Sequence, residues 1–374
     1  MAFTEDFELT LLEDSEISLH DCRTQNVILY RCDCSQKGLL VGIGNPLLDI
    51  SAIVDESLLQ KYELQADGAI MAEDKHMPLY KELMEKHNAE FIAGGSVQNS
   101  LRVAQWILKK PNVCTYFGCV GNDDYARILR ERAEAEGVTV RYQVTDEAPT
   151  GTCAVLVTGT HRSLCANLAA AQKFTPDHLG KEECRRSIES AKFFYASGFF
   201  VAVSPESIMQ LAQHAHAHSH TFVMNLSAPF VSQFYKEPLT QIMPYVDVLF
   251  GNESEAEAFA QAFNIAETDL QQLALKTAAL PKLNSRKRVV VITQGKDPVI
   301  LVEGSKISLI PVIYLTREQI VDTNGAGDAF AGGFLSQLVM GKSYETCVKC
   351  GIYSATHIIQ HSGCTVSGES DFQE

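Results

Sequence analysis

From Lys37 onward, short apolar runs alternate with longer stretches in which apolar residues recur at helical spacing. The run Leu39-Leu40-Val41-Gly42-Ile43-Gly44 reads as a buried strand, and residues 96–108, entered through Gly94-Gly95, read as a helix. Further strands are expected at 113–117, 192–196, 222–225, 246–250 and 288–293, and further helices at 123–136, 205–218, 253–263, 326–340 and 344–361. Strands separated by helices imply crossover connections, hence a mainly parallel sheet covered on both faces. The expected class is α/β with three layers, helices on either side of the sheet.

Two stretches break this rhythm, 50–71 and 139–168. In the second, Cys153-Ala154-Val155-Leu156-Val157 and Ser163-Leu164-Cys165 read as hairpin strands with Gly159 near the turn. A small strand-rich lid inserted into the α/β core accounts for both. The expected division is therefore a large nucleotide-binding domain of 37–49, 72–138 and 169–374, with a lid of 50–71 and 139–168. Residues 1–36 form an acidic N-terminal extension. Before Arg23 they carry Glu5, Asp6, Glu8, Glu13, Asp14, Glu16 and Asp21 without a lysine or arginine, although Val27-Ile28-Leu29-Tyr30 could pair as a short strand.

Net charge narrows the partners. At −15 over 374 residues, the chain lacks the basic face that binding nucleic acid or an anionic membrane requires. A small polyanion remains open, since a nucleotide needs only a few local donors. No apolar run approaches the roughly 18 residues of a membrane span, and Met1-Ala2-Phe3-Thr4-Glu5-Asp6 lacks the basic start of a secretory signal. The eleven cysteines read as reduced, buried thiols, which agrees with a cytoplasmic protein and leaves the nucleus open. Cys32-x-Cys34 and Cys347-x-x-Cys350 are close pairs, but neither has a second pair at zinc-site spacing.

The densest chemical signal is Asp322-Thr323-Asn324-Gly325-Ala326-Gly327-Asp328-Ala329-Phe330, which follows Ile320-Val321 and opens a helix. Glycines there let several backbone N–H groups converge, and the positive end of the helix dipole adds to them, which makes an anion site. Asp328 stands in the first helical turn, a carboxylate beside that site. An acid at a helix start also has a purely structural use. No Gly-x-x-x-x-Gly-Lys-Ser/Thr occurs, and Gly42-x-Gly44 and Gly325-x-Gly327 lack the third glycine of a dinucleotide fingerprint. His214, His216, His218 and His220 suggest a metal, but residues i and i+2 of a helix do not share a face, so two half-sites are the most they offer.

The nine-residue string resembles the C-terminal signature of the ribokinase-like (PfkB) carbohydrate and nucleoside kinases. The resemblance runs from about Leu39 to Thr365 and sharpens towards the adenosine-phosphorylating members. Gly44-Asn45-Pro46-Leu47-Leu48-Asp49-Ile50 and Gly94-Gly95-Ser96-Val97-Gln98-Asn99-Ser100 carry it, with Pro149 to Ala154, Arg162 to Leu168, Gly198-Phe199-Phe200, Asn225 to Phe230 and Phe250 to Glu255. It implies adenosine and ATP as substrates, Mg²⁺ with the ATP, a monomer, and no nucleic-acid or membrane partner.

The implied roles are specific. Asp328 is the general base, Gly325, Ala326 and Gly327 the anion donors, and Arg162 a lid cation facing the phosphates. Asp49 accepts both ribose hydroxyls, with Asn45, Gly95, Ser96, Asn99 and Asn324 around the sugar and transferred group. Leu47, Met71, Cys153, Leu164, Ala166, Leu168 and Phe199 form an apolar slot for the purine. Asn252, Glu255, Thr293 and Gly295 belong to the ATP and metal end, Glu255 meeting Mg²⁺ through water, although a helix-opening i, i+3 pair explains Asn252 and Glu255 equally. By analogy, 322–323 and Gly363-Cys364-Thr365 could hold a monovalent cation. Another nucleoside or a sugar as substrate, or a catalytically silent nucleotide-binding protein, stays open.

Overall fold

The computed structural model describes residues 37–373 apart from Asp67 and Thr160, so the acidic extension and the short strand expected at Val27-Ile28-Leu29-Tyr30 lie outside the described residues. In chain order the strands are β1 (Leu40–Ile43), β2 (Leu47–Ile53), β3 (Ala69–Met71), β4 (Glu90–Gly94), β5 (Cys114–Gly121), β6 (Thr139–Thr145) and β7 (Thr152–Thr158). They continue with β8 (His161–Asn167), β9 (Phe193–Ser197), β10 (Thr221–Asn225), β11 (Val248–Asn252), β12 (Val289–Gln294), β13 (Asp297–Glu303) and β14 (Lys306–Ile310).

Nine of them form one sheet in the order β14-β13-β12-β11-β10-β9-β1-β5-β6. It is parallel from β6 to β12 and ends in the antiparallel β12-β13-β14 edge. Alternation along the central strands divides the core. Val41, Ile43, Phe194 and Met224 face helices Glu182–Ser190, Pro205–Ala217 and Glu253–Ala262 on one side. Leu40, Tyr116, Tyr195 and Phe250 face helices Ser96–Leu108, Ala326–Val339 and Tyr344–Ile358 on the other. Each such buried aromatic or aliphatic side chain contributes roughly 1.5–3 kcal/mol. Gly42 sets the distance of one helix: a Cβ there would come within 2.7 Å of Val97. The three-layer α/β reading holds, and the strands and helices expected from periodicity are present with ends moved by a few residues.

The remaining five strands form a second sheet, β3-β8-β7-β2-β4. Helices Glu56–Lys61 and Met77–Lys86 cover one of its faces, where Ile50, Leu58, Leu79, Leu83, Ala154 and Leu156 are buried together. The β7-β8 hairpin is paired from Thr152↔Asn167 to Thr158↔His161, and Gly159 in its turn takes φ 61°.

Sheet membership departs from the expected division at three points. Residues 139–145, expected in the lid, are β6 at the edge of the large sheet, parallel to β5 from Thr115↔Thr139 onward. A strand that returns through helix Asp124–Ala135 docks beside the strand it left, which is what a crossover does. Conversely, β4 and the whole of β2, including Asp49, belong to the small sheet rather than to the large one. Among the described residues, no helix is long and apolar enough to cross a membrane.

Candidate active site

The uncovered face of the small sheet looks onto the large sheet across a cavity of about 540 Å³. Register builds its apolar wall: Met71 pairs with Ala166, Ala166 with Cys153, and Cys153 with Asp49, so one row of side chains crosses four strands. Period 2 along β2 puts Leu47 on the same face as Asp49. Leu164, Leu168 and Phe199 also line the cavity, so the whole predicted purine slot is gathered there. Met71 is 39% exposed and stands at its open side. The row ends in Asp49, whose carboxyl group occupies the space a side chain at residue 94 would take. A Cβ on Gly94 would lie 2.3 Å from Asp49 Oδ1. Gly95, at φ 93°, admits the backbone of Asn45 in the same way.

The opposite end is the glycine loop. Gly325 takes φ 77° and caps helix Ala326–Val339. The first N–H groups of a helix have no intrahelical acceptor, so those of Gly327 and Asp328 are available to an anion. Gly327 is open around its Cα, with nothing within 4 Å of an added Cβ. Ala326 differs from expectation, because its N–H bonds to the Thr323 carbonyl at 3.3 Å.

Asp328 is held from helix Ser96–Leu108, whose N-terminus follows the Gly94-Gly95 turn. Ser96 Oγ donates to its Oδ1 at 2.6 Å and Asn99 Nδ2 donates to its Oδ2 at 3.0 Å. The Asn99 amide, expected on the sugar, is thus turned to the carboxylate. Burial raises Asp328 to about 6, and those two hydrogen bonds pull it down. Burial together with the Asp328 and Asp322 carboxylates pushes Asp49 up to about 8, against the attraction of Arg102. Both acids line one cavity and feel each other's charge, the geometry on which a shared substrate depends. Asn45 lines it too, and its Oδ1 is buried without a hydrogen-bond partner.

Arg162 lines the cavity but does not point a bare cation at it. Its Nε bonds to Asp322 Oδ1 at 2.7 Å, and Nη2 bonds to the Val321 carbonyl at 2.9 Å. Asp322 also accepts from the backbone N–H of Asn324 and of Gly363, each at 2.8 Å. The carboxylate expected to help hold a monovalent cation is therefore neutralised by a guanidinium. At the far end, Asn252 caps helix Glu253–Ala262 in a capping box: its Oδ1 accepts from Glu255 N, while Glu255 accepts from Asn252 N and Nδ2. Burial lifts Glu255 to about 7. Thr293 and Asn324 join the lining. Gly295 does not; it sits in the β12-β13 turn at φ 55°, outside the cavity.

Among the described residues no group of three or more His, Cys, Asp or Glu could hold a metal, the histidines of 214–220 included. The rings of His214, His218 and His220 instead pack on one another and on Phe194. Several lining residues carried no predicted role. Ser197 and Asn225 end their parallel strands at the cavity, Phe230 packs its ring 6.0 Å from that of Phe199, and Tyr235 joins the lining. For Ser197 and Asn225 the position at a strand C-terminus was the available signal, since ligands of open α/β sheets bind there.

Comparison with known proteins places this arrangement. Residues 66–371 match the pfkB family carbohydrate kinase profile. The chain belongs to that family. Within the pfkB kinases it is 51% identical to adenosine kinase 2 of Arabidopsis thaliana over 90% of this chain and 97% of that one. It is 42% identical to the adenosine kinase of Saccharomyces cerevisiae over 88% and 97% of the two chains. Among solved structures, Anopheles gambiae adenosine kinase in complex with P1,P4-di(adenosine-5) tetraphosphate superposes with a TM-score of 0.87 at 60% identity, covering 90% of this chain and 99% of that one. Schistosoma mansoni adenosine kinase in complex with adenosine, in an occluded loop conformation, gives 0.85 at 36% identity, with 89% and 98% covered.

Proposed function

We infer that this pfkB kinase transfers the γ-phosphoryl group of ATP to the 5′-hydroxyl of adenosine, yielding AMP and ADP. The observation that carries the reading is the meeting of Asp49 and Asp328 in one cavity, the first at the end of an apolar slot and the second at a helix N-terminus. A flat neutral base suits the slot, and a carboxyl group suits a vicinal diol because its two oxygens can meet two hydroxyls. The named relatives act on adenosine or bind it, and they span nearly the full length of the chain they share.

In the reaction, Asp328 takes the 5′-hydroxyl proton as that oxygen attacks the γ-phosphorus in line. At the helix N-terminus the backbone N–H groups of Gly327 and Asp328 serve as donors to the transferred group, and Asn324 adds a polar side chain beside it. Mg²⁺ on the ATP phosphates would neutralise their charge. Glu255 fits such an ion through water, because Asn252 already donates to both of its oxygens and Mg²⁺ retains most of its own waters. The small sheet acts as a lid that excludes water and so limits ATP hydrolysis. The same reading has the enzyme working as a monomer in the cytoplasm on free nucleosides; a net charge of −15 weakens attraction to polynucleotides.

ADP release measured in parallel with adenosine, inosine, guanosine and ribose tests the assignment. Adenosine gives the highest kcat/KM. Preference for ribose, or no ADP release with any of the four, would overturn it.

A further inference from the structure

A chain of side chains behind Asp328 has no place in the chemistry above. Arg102 lies on helix Ser96–Leu108 one turn beyond Asn99 and two beyond Ser96, so the three share a face at i, i+3 spacing. Its side chain is 4% exposed. Glu136 grips it in a fork, Nε to Oε2 at 2.8 Å and Nη2 to Oε1 at 2.7 Å. The remaining guanidinium nitrogen, Nη1, donates to the Ala93 carbonyl at 2.9 Å and to Asn99 Oδ1 at 3.2 Å.

We propose that Arg102 is a positioning residue for phosphoryl transfer, fixing the Asn99 amide so that its NH₂ group rather than its oxygen faces the Asp328 carboxylate. The inference rests on Asp328 being the base. Its logic is a matter of donors and acceptors. A guanidinium can only donate, so the Asn99 atom facing it is the oxygen. The amide nitrogen must then face the other way, where Asp328 Oδ2 accepts at 3.0 Å. A flipped amide would oppose oxygen to carboxylate on one side and nitrogen to guanidinium on the other, two repulsions in a buried site. The bidentate grip of Glu136 removes the rotamer freedom that would let Arg102 leave Asn99. With Ser96 on Oδ1 and Asn99 on Oδ2, the Asp328 carboxylate is fixed in plane, leaving its other lone pairs for the incoming hydroxyl.

The test is a double-mutant cycle on kcat with adenosine and ATP. Arg102→Met lowers kcat by about 10–100-fold, the usual cost of losing a partner behind a reacting group, while the KM for ATP stays within about threefold. In an Asn99→Ala background, where no amide remains to orient, the same Arg102→Met change lowers kcat by less than about threefold. An unchanged kcat in the single variant, or an equal loss in both backgrounds, overturns the proposal. If Arg102→Met does not fold, Arg102→Lys takes its place in the cycle, since it keeps the charge and most of the packing. It gives a smaller loss that likewise vanishes in Asn99→Ala and contradicts the proposal if it persists. Asp328→Asn assayed alongside separates the two levels. A fully active Asp328→Asn removes the base, whereas an inactive one with an additive cycle removes only the role of Arg102.

Discussion

Arg162 Nε and Asp322 Oδ1 lie 2.7 Å apart with both side chains almost wholly buried, and this pair ties the small sheet to the glycine loop. Asp322 passes the restraint on, since its oxygens also hold the backbone of Asn324 and Gly363. Removing the guanidinium leaves a buried carboxylate uncompensated, so Arg162→Leu destabilises the protein by about 3–5 kcal/mol. Urea unfolding of the two proteins measures it. A change below about 1 kcal/mol, the range of exposed pairs, would show that the bond is not maintained in solution.

Asp49 is held in a position that suits a ligand better than it suits the fold. An ordinary aspartate titrates near 3.8, whereas burial and neighbouring carboxylates place Asp49 at about 8. Between those values the native state binds the proton more tightly than the unfolded chain, so this group removes stability as pH rises from about 4 to about 8. Asp49→Asn removes that penalty. Its melting temperature therefore exceeds that of the parent at pH 8 and converges with it near pH 4, while adenosine binding is lost. A variant that melts lower than the parent at pH 8 contradicts the environment described for this acid.

The base also sets a pH profile. Asp328 must be unprotonated to accept the hydroxyl proton, and its value is about 6. Below that, kcat falls towards tenfold per pH unit; above it, kcat levels off. Other groups whose titration bears on this carboxyl are Asp49 on β2, Tyr116 on β5, Tyr195 on β9, Glu255 and Cys364, with Ser96 and Asn99 as its donors. A profile flat from pH 5 to 8 under conditions where chemistry limits kcat would contradict the raised value that burial gives this base, since an ordinary aspartate near 3.8 is fully ionised over that range.

Local pattern made most of the scaffold legible. Runs such as Leu40–Ile43 are buried on both faces of a sheet, and helix Ser96–Leu108 begins where a double glycine turns the chain, so periodicity and punctuation agreed. β6 was misplaced because its half-buried alternation suits an edge strand of either sheet; only its docking on β5 decides. The β13-β14 hairpin was missed because a short apolar run at Val299 to Val302 follows a turn without a helix to frame it. At the site, the glycine string and Asp49 were visible as residue types in sequence. What each side chain touches was not. Ser96 and Asp328 are 232 residues apart and Arg162 and Asp322 160 apart, and no one-dimensional spacing reports such contacts. Arg102 is the exception, since its i, i+3 spacing from Asn99 was there to be read.

Everything functional returns to the carboxylate at residue 328. The most direct measurement is single-turnover phosphorylation of adenosine by Asp328→Asn, whose amide keeps the shape of the site and cannot accept the proton. The account predicts a folded protein that still binds adenosine and turns over about 10²–10⁴-fold more slowly. Turnover within about threefold of the parent, with binding intact, would contradict it.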